Sequence, residues 1–292
     1  MMTLSSATFG VFNLYTIETG CFRLDGGAMF GVVPKTLWSR HFACDEKNRI
    51  PLTARCLLIQ SKATGRNYLV DTGTGHKFDK KFKDIYDLDF SNYSLDKSLG
   101  YHGLTASDVT DVIFTHLHFD HCGGAVCLDQ DRQPALTFPN ARHWVHTAHL
   151  NHVQRANIRE KASFLSENIN PIVSSGLLKE VDDDHTYEPG LNIEIVNGHT
   201  TGQQLPCISD GEHKLLFAAD LLPTTAHLPL PWVMGFDIRP LDTFEEKKRV
   251  LSRCIKEHIL LYLEHDPFHE LIQTGGNPIK PSIVWSGTLN DL

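Results

Sequence analysis

Thr115-His116-Leu117-His118-Phe119-Asp120-His121-Cys122-Gly123-Gly124 is the stretch that decides how this chain folds. Four metal-competent side chains, His116, His118, Asp120 and His121, fall within six residues, directly after the apolar run Val112-Ile113-Phe114. That run has the length and composition of a short buried strand, and Gly123-Gly124 predicts a turn. If the extended backbone continues through His116 and His118, the two-residue period of a strand puts both imidazoles on one side. Asp120 and His121 follow where the chain turns and reach a second point a few ångströms away. One short stretch is thus able to offer ligands to two adjacent cations. A His-rich surface loop is the competing reading in a chain with 17 His, but strand, spacing and glycines agree on a metal site.

H-x-H-x-D-H after a strand, with Gly-Gly behind it, resembles the metallo-β-lactamase superfamily, and the resemblance covers most of the chain. Tyr68-Leu69-Val70-Asp71-Thr72-Gly73 is similar to the family's early strand and turn, and Asn197-Gly198-His199-Thr200-Thr201-Gly202 to the segment supplying a further His ligand. Phe217-Ala218-Ala219-Asp220 is similar to the strand ending in a metal-bridging Asp, and Tyr262-Leu263-Glu264-His265-Asp266 to the last ligand strand. These pieces occur in the family's order. Within the superfamily, the segments from Phe22 to Phe30 and from Arg155 to Arg159 resemble the lactonase branch, which includes quorum-quenching acyl-homoserine lactonases.

The resemblance implies an α/β fold, a four-layer αββα sandwich with a dinuclear metal site at one edge between the sheets. It also implies a division of ligands: His116, His118 and His199 on one cation, Asp120, His121 and His265 on the other, and Asp220 bridging them. Imidazole with carboxylate suits Zn²⁺ and also accommodates Fe, Mn or Co. Two divalent ions are therefore expected, with Zn²⁺ the first assignment. Two such ions roughly 3.5–4 Å apart hold a hydroxide between them and take up charge on the attacked oxygen. Asp120, or a water it holds, is then placed to protonate the leaving oxygen, which makes Asp120 and Asp220 the catalytic carboxylates. Asp71 is read either as a partner orienting a ligand His or as a turn-forming Asp. Cys122 is expected to pack beside Gly123 rather than bind metal.

The ligand set also excludes relatives. Family β-lactamases lack the bridging Asp, flavodiiron members carry an acidic residue where His118 stands, and glyoxalase II adds a C-terminal helical domain. Only 27 residues follow His265 here. Hydrolysis of a lactone or ester-like bond is what the resemblance leaves, with an arylesterase or organophosphate hydrolase as the alternative and an idle binding protein as a third reading. Well-known acyl-homoserine lactonases carry a Tyr three residues after the bridging Asp. Here that position is Pro223, followed by Thr224, Thr225 and His227.

At 292 residues the chain is long enough to bury a full core,, and the absence of repeats or a Gly/Ser linker predicts one domain over 1–292. Net charge is −8 and the densest basic cluster is Lys80-Lys81-Phe82-Lys83, which offers no face for nucleic acid. Met1 to Gly20 shows no signal peptide or membrane span, and seven scattered Cys without C-x-x-C pairs predict reduced thiols in a cytoplasmic protein,. A small-molecule lactone or ester is the expected partner, and a homodimer is left open.

Strands are predicted over Ala54–Gln60, Asn67–Val70, Asp111–Thr115, Arg142–Val145, Leu191–Val196, Gln204–Ser209 and Lys214–Ala218, with Thr64-Gly65 and Asp210-Gly211 as turns. Helices are predicted around Thr147–Arg155, Arg159–Asn168 and Thr243–Glu257, the last burying Phe244, Val250, Leu251 and Cys254 with its Lys and Glu residues in water. Two loop-like stretches are expected to line a substrate pocket. Phe22 to Trp38 contributes Phe22, Met29 and Phe30, and Pro223 to Pro240 contributes Thr224, His227, Trp232, Met234 and Phe236. Phe119, inside the metal motif, completes the expected lining.

Overall fold

The computed structural model describes residues 4–292. Two mixed seven-stranded sheets form its centre. The first runs, in spatial order, Ser6–Phe9, Phe12–Asp25, Arg49–Ser61, Asn67–Val70, Asp111–Ile113, Arg142–His146 and Leu178–Val181. The second runs Thr186–Glu188, Leu191–Val196, Gln203–Ser209, Lys214–Phe217, Leu260–Tyr262, Leu271–Asn277 and Lys280–Gly287. Pairing is antiparallel at the outset of the first sheet and turns parallel from Asn67–Val70 onward. In the second sheet one central pair is parallel, Leu215 opposite Leu260 and Phe217 opposite Tyr262.

Strand alternation assigns the layers. Leu57, Ile59, Tyr68, Val70 and Ile113 point between the sheets, where they meet Phe217, Tyr262 and Leu271. Their neighbours Cys56, Leu58, Leu69 and Val112 point the other way, onto Leu95, Leu99, Ile169 and Ile172 of flanking helices. A strand buried on both faces has no solvent side, which is why Cys56-Leu57-Leu58-Ile59 is continuously apolar. The helix Pro240–Glu257 covers the second sheet with Val250, Leu251 and Cys254 buried and Phe244 packed against them. The layers are therefore helix, sheet, sheet, helix, the sandwich expected.

Several expected elements shift. The helix starts at Pro240 rather than Thr243, proline serving at its first turn,. Lys247 leaves the water predicted for it and is buried. Its ammonium donates to the carbonyls of His227 (2.7 Å), Pro229 (3.0 Å) and Trp232 (2.8 Å), so the helix ties down the segment that follows Asp220. The helix expected over Arg159–Asn168 instead spans Ser166–Ser174. Residues 157–165 are held in turns because Asn157 Oδ1 accepts from the amides of Arg159 and Glu160. The seven Cys form no disulfide, and no helix among the described residues is long and apolar enough to cross a membrane.

Candidate metal centre

Both sheets aim strand ends at one place. Val70 of the first sheet leads into Asp71, and Ile113 leads into the loop that carries His116 and His118. In the second sheet Phe217 leads to Asp220, Tyr262 leads to His265, and the connection from Val196 to Gln203 carries His199. Carboxyl ends of parallel strands where the pairing switches are the usual position for a site in such sheets.

The local backbone differs from expectation. Extended pairing ends at Ile113, and His116 to His118 lie in a loop rather than on a prolonged strand. Gln204 bridges that loop to the second sheet, its amide donating to Thr115 O (2.8 Å) and its side chain to Phe114 O (2.8 Å). His149 Nε2 accepts from the Leu117 amide at 2.8 Å. The two imidazoles still reach one site, their ring centroids 4.4 Å apart. Asp120 and His121 sit on the short helix Phe119–Cys122. Gly123-Gly124 is needed for close approach: a Cβ at Gly123 would fall 2.2 Å from Thr74 O, and one at Gly124 2.0 Å from Thr72 O. Cys122 is buried with its thiol on Leu117 O, away from the ligand atoms, and burial pushes it up to about 12.

The seven candidate ligands are all buried and fall into two groups joined by Asp220. In the first, His118 Nδ1 lies 3.0 Å from His116 Nε2 and 3.2 Å from His199 Nε2. Asp220 Oδ2 lies 3.1 Å from His199 Nε2 and 3.9 Å from His116 Nε2. In the second, His265 Nε2 is 3.2 Å from His121 Nε2, and Asp120 Oδ2 is 3.9 Å from each of them. Asp220 Oδ1 completes this group, 3.0 Å from His265 Nε2 and 3.6 Å from His121 Nε2.

Ring nitrogens thus converge on shared points instead of on separate hydrogen-bond donors. Asp220 Oδ1 is buried without a hydrogen bond among the described residues. Such groups are costly in an interior unless a cation sits where they meet. Divalent metal fits this donor set.

The outward nitrogens of His116, His121, His199 and His265 are held by acceptors, while that of His118 only faces one. His121 Nδ1 faces Asp71 Oδ2 at 3.0 Å and Glu264 Oε2 at 3.1 Å. His199 Nδ1 faces Asp237 Oδ1 at 2.9 Å, and His265 Nδ1 donates to Thr53 O at 2.8 Å. His116 Nδ1 lies 3.0 Å from Thr115 Oγ1, whose own hydroxyl donates to Asp71 Oδ2. His118 Nε2 faces Glu160 Oε1 across 3.6 Å, and Glu160 is fixed by His152 and Thr200. Partners of this kind set the tautomer that leaves the inward nitrogen free for a metal. Asp71 carries both roles foreseen for it: it orients His121, and it turns the chain in the left-handed region at φ 57°.

The electrostatics favour positive charge at the centre. Burial opposes ionisation of Asp220, yet His199, His121 and His265 hold its carboxyl well below the usual range. Burial likewise works against charge on His199 and His265, but Asp220 outweighs it and lifts them to about 10 and about 9. Burial raises the Glu264 carboxyl to about 8 against the pull of His121, with Asp71 adding to the rise.

A cleft of about 160 Å³ opens over Asp120, Asp220, His118, His199 and His265. Met29, Phe119, Met234 and Phe236 line it, as expected, and so do Leu24, Tyr86, Arg159 and Ser163, which were not foreseen. Five expected lining residues lie behind the wall. Phe22 is buried and meets the His265 ring edge-on at 5.5 Å. Phe30 is stacked between Trp38 (5.4 Å) and His227 (4.7 Å). Trp232 packs edge-on against Phe30 and His41. Thr224 is spent on His227 Nδ1 (2.8 Å), and His227 Nε2 donates to Met29 O (2.9 Å). Burial pushes His227 down to about 4, so it stays neutral. These side chains support the wall from its core side. Asp237 and Glu160 were missed because their partners are distant in sequence. Glu264 stood beside His265 in an apolar strand, where an unpaired acid is itself a signal.

The family model of the metallo-beta-lactamase superfamily matches residues 49–252. Among solved structures the chain is similar to a probable metal-dependent hydrolase from Staphylococcus aureus, at 29% identity and a TM-score of 0.85, over 96% of this chain and 97% of that one. It is similar in fold to AidC, a dizinc quorum-quenching lactonase in complex with a product, N-hexanoyl-L-homoserine, at 22% identity and 0.81, over 98% of each chain. It is also similar in fold to an N-acyl homoserine lactone hydrolase with N-hexanoyl-L-homoserine bound at the catalytic metal centre, at 20% identity and 0.66, over 91% and 95%.

Proposed function

The chain belongs to the metallo-β-lactamase superfamily and is a metal-dependent hydrolase; from that premise we propose that it opens a lactone of the acyl-homoserine lactone type, or a closely related ester, at a dinuclear centre. The observation that carries this reading is Asp220, whose two carboxylate oxygens are divided between His199 on one side and His265 on the other. A single carboxylate between two three-residue groups suits a pair of cations, His116, His118 and His199 holding one and Asp120, His121 and His265 the other. When bound, such a pair supplies Lewis acidity and a water acidified to near neutrality.

The protein's own part follows from the geometry. Asp220 fixes the separation of the two groups. The acceptors on the outward imidazole nitrogens, Asp71, Asp237 and Thr53 O among them, orient the rings so that the inward nitrogens are the ones a metal would take,. Asp120 lines the cleft beside the second group and, unlike Asp220, is not shared with the first, so it is placed to pass a proton to the leaving oxygen as the C–O bond breaks,. Water adds to the carbonyl carbon, and the ring opens to a carboxylate and a hydroxyl. Met29, Met234 and Phe236 offer an apolar wall for an acyl chain. AidC and the N-acyl homoserine lactone hydrolase, solved enzymes of the same fold that each hold an acyl-homoserine product, support this substrate class.

The test is a hydrolysis screen of metal-loaded protein against short- and long-chain acyl-homoserine lactones, δ-lactones, aryl esters and paraoxon-like triesters. Lactones should give the highest kcat/KM. A preference for triesters or aryl esters over every lactone would contradict the substrate assignment while leaving the hydrolase standing.

A further inference from the structure

The cleft over the metal centre adjoins a second, wider chamber of about 920 Å³, and Leu24, Tyr86 and Phe236 line both. Of these three, only Tyr86 carries a polar group. Its ring centroid lies 4.7 Å from that of Phe119, the residue before Asp120, and 4.6 Å from that of Phe82. Its hydroxyl makes no hydrogen bond to another described residue. Arg159, a longer donor on the same wall, spends its guanidinium on the carbonyls of Gly235 and Asp237. Ser163 is the one other hydroxyl-bearing residue lining the cleft.

The element that carries Tyr86 is fixed in place. Tyr86 ends the helix Lys80–Tyr86, and Arg49 Nη1 donates to the last-turn carbonyls of Asp84 and Ile85, each at 3.0 Å. Asp87 then turns the chain in the left-handed region, φ 50° and ψ 48°. A non-glycine residue rarely stays there unless its surroundings hold it. Here they do, Arg23 lying 3.0 Å and Arg49 3.6 Å from its carboxylate. The phenol is thus an anchored group on the cleft wall with no internal partner. A phenol is protonated at neutral pH, so its hydroxyl is available as a donor.

We propose that Tyr86 contacts the substrate: its hydroxyl donates a hydrogen bond to the carbonyl oxygen of the lactone or ester held over Asp120 and Asp220, and its ring forms the threshold across which the acyl chain passes into the outer chamber. The proposal rests on the hydrolase reading above and deepens it. A donor aimed where negative charge develops acts more in the transition state than in the ground state, so its loss falls mainly on kcat. The ring contact is shared by both states, so its loss falls on KM.

Metal-loaded wild type, Tyr86→Phe and Tyr86→Leu should be compared on acyl-homoserine lactones of short and long chain. Their affinity for N-hexanoyl-L-homoserine should be measured by calorimetry alongside. Tyr86→Phe should lower kcat roughly tenfold or more at every chain length, weaken the calorimetric affinity several-fold, and leave metal content and melting temperature unchanged. Tyr86→Leu should add a rise in KM that grows with chain length. Wild-type kcat and affinity in Tyr86→Phe would overturn the proposal, as would a loss that tracks a fall in metal content. Wild-type protein inactive on all lactones, esters and triesters would instead sink the hydrolase reading. In that case equal or absent binding of N-hexanoyl-L-homoserine by wild type and Tyr86→Phe overturns the Tyr86 contact as well.

Discussion

Asp71 Oδ2 lies 3.0 Å from Nδ1 of His121, so a carboxylate at the end of one parallel strand fixes a ring presented after the next. Asp71 also accepts from the Thr115 amide and hydroxyl, at 2.8 and 2.6 Å, and thereby holds the start of the loop that carries His116 and His118. One buried side chain orients one group of candidate ligands and braces the other.

Asp71→Ala should therefore lower metal affinity by roughly 10–100-fold, the usual effect of removing a partner that orients a ligand His. Competition with a chromophoric chelator measures it. Unchanged affinity would mean that Glu264, 3.1 Å from the same nitrogen, orients His121 unaided.

Asp220→Ala removes the carboxylate that both groups share. At least one equivalent of metal should be lost, and kcat should fall on the order of 10²-fold or more. Elemental analysis and steady-state kinetics on the same preparation check both. Wild-type rates would assign Asp220 a structural role.

Phe236 and Trp232 separate wall from core. Phe236→Ala should raise KM for long acyl chains more than for short ones, by roughly 1–3 kcal/mol at the longest, with metal content unchanged. Trp232→Ala should lower the melting temperature and keep the chain-length ranking, because the indole packs on Phe30 and His41 rather than in the cleft. The reverse pattern would show that Trp232 reaches the substrate.

His143 supplies a pH-dependent contribution away from the metal centre. It is buried, stacked against Phe114 at 5.9 Å, and burial pushes it down to about 4. An unfolded imidazole titrates near 6.5, so between about 6.5 and 4 the unfolded chain binds a proton that the folded chain refuses. Stability is retained above pH 6.5 and falls as pH drops toward 4, by up to about 3 kcal/mol. Melting temperatures of His143→Leu and wild type should diverge over that window, the variant losing less. A constant difference across it would mean that His143 takes up its proton as readily in the folded chain as in the unfolded one.

The metal motif was legible because its donors are close in sequence and its glycines are dictated by backbone contact with Thr72 and Thr74. Strands such as Asn67–Val70 and Leu191–Val196 matched because turn residues bounded them, with alternation adding to the signal in the second. Pocket residues were harder. Phe30 stands next to Met29, and Trp232 two residues before Met234, with the same apolar chemistry, and only packing decides which face the cleft. Tyr86 was invisible because a short helix distant from the motif brings it there. Lys247 defied the amphipathic pattern because three carbonyls of a neighbouring segment await its ammonium.

Metal titration of the demetallated protein, followed by hydrolysis of an acyl-homoserine lactone, tests the central claim most directly. Activity should rise with added Zn²⁺, level off at two equivalents per chain, and vanish on chelation. Full lactone hydrolysis with metal near zero, or none at two bound equivalents, would contradict a dinuclear lactone hydrolase.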